Sequence, residues 1–136
     1  MNKVRYLTIV LFLSASVLLP LSASASGMSC QEFDALSGVS THEEFKHSHW
    51  TGAQFEAFKS VIASHVGDIA SLHRFSRRNT ALQSVLKNRQ MLSYIMSNAL
   101  SMTIDFCVDR KNNPMSDVAI EQFDYLLDAV AGGMDK

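Results

Sequence analysis

Residues 80–109, TALQSVLKNRQMLSYIMSNALSMTIDFCVD, decide the fold class. Leu82, Val85, Leu86, Leu92, Ile95, Met96, Ala99, Leu100, Ile104 and Cys107 recur at intervals of three and four, the spacing that lines one face of an α-helix. The stretch holds no proline or glycine, and Lys111-Asn112-Asn113-Pro114 stops it. It predicts one long helix over 80–109.

The same period extends outward in both directions. A short first helix is expected from Ser29, where Ser29-x-x-Glu32 is a capping-box pattern ahead of Phe33 and Leu36, and Gly38 is expected to end it. A second helix should begin at Thr51 or Gly52 and carry Phe55, Phe58, Val61, Ile62 and His65, with Gly67 as its break. Residues 68–78 read as a third helix with Ile69, Leu72 and Phe75 inside and Arg74, Arg77 and Arg78 in its last turn, where cations complement the helix dipole. The last helix should run from Asp117, capped by Ser116, through Ile120, Phe123, Leu126, Leu127 and Val130 to Gly132-Gly133. No run alternates as a strand does. The fold class is therefore all-α: a small single-domain bundle of four to five helices, with Phe58, Ile62, Leu86, Ile95, Leu100 and Phe123 in one core.

Ahead of this domain, Lys3 and Arg5 precede the apolar run Leu7 to Leu19, then Pro20 and the small residues Ser22-Ala23-Ser24-Ala25. A basic start, a short apolar run and an Ala-x-Ala site have the form of a signal peptide, cut after Ala25. The run is shorter than the roughly 20 residues a bilayer span needs, so no stable membrane anchor is expected. This divides the chain into a cleaved leader, 1–25, and a helical domain, 26–136, exported to the periplasm. Cys30 and Cys107 are then an isolated pair in an oxidising compartment, which predicts one disulfide.

Composition narrows the function. Of 136 residues, 47% are hydrophobic and 18% charged, a globular balance that leaves disorder aside. Twelve Lys and Arg stand against 13 Asp and Glu, and removal of Lys3 and Arg5 leaves the mature chain at −3, so nothing supports nucleic-acid binding. No phosphate loop, His-Glu-x-x-His or Gly-x-Ser-x-Gly motif is present, which predicts no catalytic residues, no cofactor and no enzyme. His42, Glu43, Glu44, His47 and His49 have the donors a metal uses, but a solvated loop accounts for them and no metal site is assigned. His65 and His73 read as partly buried packing residues, and Met91, Met96 and Met102 as core filling. Trp50, Arg74, Arg77 and Arg78 are the candidate partner-binding residues, because Trp and Arg anchor protein interfaces. A ligand carrier, with Phe55, Phe58 and Phe75 around a pocket, is a further option without a motif of its own.

Met28-Ser29-Cys30-Gln31-Glu32-Phe33, just after a leader, resembles the mature start of acid-stress chaperones of the HdeA/HdeB type. Ile104-Asp105-Phe106-Cys107 followed by Asn113-Pro114 is similar to that family's second half, and Trp50-Thr51-Gly52 resembles the tryptophan and glycine found between the two in the wider group of related secreted proteins. The region 74–91 has no counterpart in the short chaperones. The resemblance implies a periplasmic domain that binds unfolded client proteins in acid, released from a homodimer as full protonation takes the mature chain from −3 to +15 (ten Lys and Arg plus five His). The alternative with the same outline is an immunity protein of type VI secretion, which binds and neutralises a secreted toxin.

Overall fold

The computed structural model describes residues 27–38 and 50–134. The leader, the histidine-rich stretch 42–49 and its metal question lie outside the described residues. Five helices are present among them: α1 Cys30–Ala35, α2 Gly52–Leu72, α3 Arg77–Leu86, α4 Arg89–Asp109 and α5 Met115–Met134. No strand is present among the described residues, and the chain is a small all-α domain tied by one disulfide.

Local chemistry explains most of the starts. Ser29 closes the expected capping box with Glu32, and Thr51 forms a second with Gln54. Gln54 is buried, and its Nε2 donates to the Phe33 carbonyl at 3.3 Å, while Thr51 Oγ1 donates to the Leu36 carbonyl at 3.0 Å. The cap of α2 therefore also fastens α1. Gly38, at φ +76°, turns the chain in a conformation that disfavours side chains.

The helix boundaries differ from the sequence expectation in four places. Gly67 neither breaks nor caps α2, which continues to Leu72. An exposed helix glycine costs only about 1 kcal/mol, and burial of Ile69 two residues further on opposes it. Residues 68–78 are consequently not a helix of their own, and Arg77 and Arg78 open α3. The long helix over 80–109 is broken, with Asn88 capping α4 through its side chain at 3.2 Å from the Met91 amide. A straight helix over 80–109 would run about 45 Å, whereas α5 is about 30 Å long; folding back at 87–88 keeps Ala81, Leu82 and Val85 buried beside it. Finally, α5 starts at Met115 rather than Asp117, and it runs through Gly132 and Gly133 instead of stopping there.

One core joins the elements. Phe33, Phe58, Leu82, Ile95, Leu100, Phe123 and Leu127 are buried in it, each large aromatic removing 150–250 Å² from water. Of the expected core set, Leu86 is the exception: it sits 42% exposed at the end of α3, where the fold-back turns it outward. Met91 is likewise on the surface, and Met96 is only partly buried. α4 is long and apolar enough by length and composition to cross a membrane, yet Ile95, Ala99, Leu100, Ile104 and Cys107 on it are buried against the rest of the domain.

Candidate functional site

Beyond the shared core, two polar or covalent attachments tie helices together, and they differ in chemistry. At one end α1 is joined to α4 by the Cys30–Cys107 disulfide, with Cα atoms 4.9 Å apart and both residues fully buried. The backbone reinforces this end. Cys30 N–H donates to the Asn113 carbonyl at 2.8 Å, Gln31 N–H to Lys111 at 3.1 Å, and Met115 N–H to Met28 at 2.9 Å. The Asn-Pro turn between α4 and α5 is thus stitched to the residues flanking the first cysteine.

Asp34 lies at this end. Its Oδ1 is buried without a hydrogen-bond partner among the described residues, and burial pushes the carboxyl up to about 6, with nearby Lys111 acting in the opposite sense. An ionised Asp34 is therefore a cost to the fold near neutrality, and acid relieves it.

At the other end α2 and α3 are held to α5 through two carboxylates. His65 Nε2 on α2 lies 2.7 Å from Asp124 Oδ1, with its ring edge-on to Phe123 at 6.2 Å between centroids. Arg78 on α3 donates from Nε to Asp128 Oδ1 at 3.0 Å and from Nη2 to Oδ2 at 2.8 Å, and its Nη1 lies 3.3 Å from Asp124 Oδ2. The bidentate bond from Arg78 holds the Asp128 carboxyl below its ordinary value. Arg77 donates to the Ala131 carbonyl at 3.3 Å. Arg77 and Arg78 occupy the first turn of α3, the unfavourable end of the helix dipole for cations, so the expected last-turn role is replaced by this acid clamp.

The candidate partner-binding residues are spread over the molecule. Trp50 is half-buried against the core just before α2, and Arg74 is exposed just beyond its far end. About 30 Å of helix separates them, so they do not form one patch. His65 is partly buried, as expected, and its Nε2 is hydrogen-bonded to Asp124; His73 is exposed at the end of α2. Phe75 is exposed and cannot help Phe55 and Phe58 enclose a ligand. The described surface has a shallow depression of about 110 Å³ lined by Arg77, Thr80, Ala131 and Met134. No group of three or more potential metal ligands occurs among the described residues.

Comparison with protein-family models, curated proteins and solved structures finds no match. The clamp is what sequence reading missed, although a signal was there. Asp117, Glu121, Asp124 and Asp128 follow helical spacing, no Lys or Arg lies between 112 and 135, and a one-sided acidic stripe calls for a cationic neighbour.

Proposed function

We propose that this chain acts by binding other proteins and not by catalysis, as a periplasmic acid-stress chaperone of the kind its cysteine and Asn-Pro motifs resemble. The observation that carries this reading is the unequal acid sensitivity of the two attachments. The clamp rests on the bidentate bond between Arg78 and the Asp128 carboxylate, and protonation of Asp128 in acid removes the charge that bond depends on. The sign follows from Asp128. Its folded-state value is lowered, so its contribution is present above 3.8 and disappears as pH falls through the lower folded value.

The Cys30–Cys107 bond is indifferent to the same change. Asp34 responds oppositely, favouring the disulfide end as acid protonates it. Acid then loosens α2 and α3 from α5 while the other end stays joined. The loosened faces carry Phe58, Val61, Ile62, Leu82, Val85, Phe123 and Leu127, the apolar surface an unfolded client needs. The immunity alternative has less support, because Trp50 and the arginines stand at opposite ends of α2.

Light scattering from an aggregating client protein, at about pH 2.5 and at pH 7, tests this. Protection is expected in acid only, and Asp124→Asn with Asp128→Asn should move its onset toward neutrality. Equal protection at both pH values, or none at either, refutes the reading.

A further inference from the structure

Residues 69–104 contain no aspartate or glutamate, yet hold Arg74, Arg77, Arg78, Lys87 and Arg89. The fold gathers this stretch around α3, which buries Ala81, Leu82 and Val85 and leaves Thr80, Gln83, Ser84 and Lys87 exposed. Large apolar side chains stand exposed beside both ends of that helix. Leu72 (73% exposed) and Phe75 (91%) flank its start, and Leu86, Met91 and Tyr94 (64%) follow its end. These are five of the eight large hydrophobics exposed among the described residues, so exposure is concentrated where acids are missing.

Each end of α3 has cations close in the chain to its exposed apolar residues. The Arg74 guanidinium lies 5.0 Å from the Phe75 ring centroid, and Lys87 and Arg89 follow Leu86 in the chain. Arg78 is neutralised by the clamp, whereas none of the ion pairs among the described residues uses Arg74, Lys87 or Arg89. The two apolar ends are about 15 Å apart with uncharged Thr80, Gln83 and Ser84 between them. A protein interface has the reverse anatomy, an apolar centre inside a polar rim. Separate apolar tips with adjoining cations suit a broad, flat partner that offers acyl chains below a layer of anionic phosphates.

We propose that the α3 side of the molecule docks on the surface of an anionic lipid bilayer, with Leu72, Phe75, Leu86 and Tyr94 entering the headgroup layer and Arg74, Lys87 and Arg89 meeting lipid phosphates. This goes beyond client binding and does not depend on it, because docking occurs at neutral pH with the acid clamp closed. The attachment is peripheral and reversible.

The test is co-sedimentation of the purified protein, at neutral pH, with vesicles of phosphatidylcholine alone and of phosphatidylcholine mixed with phosphatidylglycerol. The protein should pellet with the mixed vesicles in about 0.05 M salt, leave them in about 0.5 M salt, and ignore the neutral ones. Arg74→Gln and Lys87→Gln should each lower the partition coefficient about fivefold, and Phe75→Ser should lower it further. Tyr125→Ser, an exposed position on α5 outside this surface, should change nothing. All four positions are exposed, and unchanged helical circular dichroism verifies the fold of each variant. Failure to pellet, equal pelleting with neutral vesicles, or indifference to Arg74→Gln and Lys87→Gln overturns the proposal. Binding to poly-glutamate without binding to vesicles also overturns it, in favour of an acidic protein partner. None of these results alters the client-protection assay in acid.

Discussion

Replacing Asp34 by Asn should stabilise the protein at neutral pH and leave it unchanged in strong acid. The carboxyl is pushed from an ordinary 3.8 up to about 6, chiefly by burial, and one of its oxygens has no hydrogen-bond partner among the described residues. A folded-state value above the unfolded one means that the folded chain holds a proton the unfolded chain has released. The associated stability is complete below pH 3.8 and is lost as pH rises through about 6. At about 1.4 kcal/mol per tenfold change, the whole interval corresponds to about 3 kcal/mol, and partial solvent access reduces this to about 1.5 kcal/mol. Asn keeps the shape and removes the ionisation. Urea unfolding of both proteins from about pH 7.5 to about pH 3.5 should show Asp34→Asn more stable at the upper end, with the gain shrinking through pH 6 and vanishing below 3.8. A gain that is the same at every pH, or a loss at pH 7.5, would refute the burial argument. Lys111→Met should enlarge the wild-type penalty at pH 7.5, since Lys111 favours the ionised form.

Phe123→Ala removes a fully buried ring shared by α5 and the His65 contact, and should cost about 3–5 kcal/mol in urea unfolding without abolishing helical circular dichroism below the transition. The pair Cys30→Ser with Cys107→Ser opens a closure spanning 77 positions and should cost up to about 4.5 kcal/mol in guanidinium unfolding. The unmodified protein should show no thiol reactive toward a colorimetric reagent, even when denatured without reductant. Two titratable thiols under those conditions would contradict the bridge.

The all-helical class was legible because apolar spacing is a local property. Ile95, Ala99, Leu100, Ile104 and Cys107 are buried where periodicity places them, and so are Phe58, Ile62 and Phe123. The cap at Ser29 was equally local, needing only a hydroxyl three positions before Glu32, and the capping box that Thr51 forms with Gln54 has the same local pattern although only a helix start was expected there. The cysteine pairing followed from there being only two cysteines.

Tertiary packing decided the rest. The apolar period in 80–109 runs through Asn88 without interruption, although Asn is a capping residue type, and folding back there keeps Ala81, Leu82 and Val85 buried beside α5. The same packing carried α2 past Gly67 and made His73 to Ser76 a corner, which turned Phe75 to the surface and brought Arg78 onto Asp124 and Asp128. The unusual state of Asp34 has the same origin, since its environment comes partly from Lys111, far away in the chain. Spacing along a chain reports which residues share a face of one helix. Which faces meet, and therefore which charges pair and which carboxyl is partly withdrawn from water, depends on contacts between residues distant in sequence, whose energies no local pattern contains.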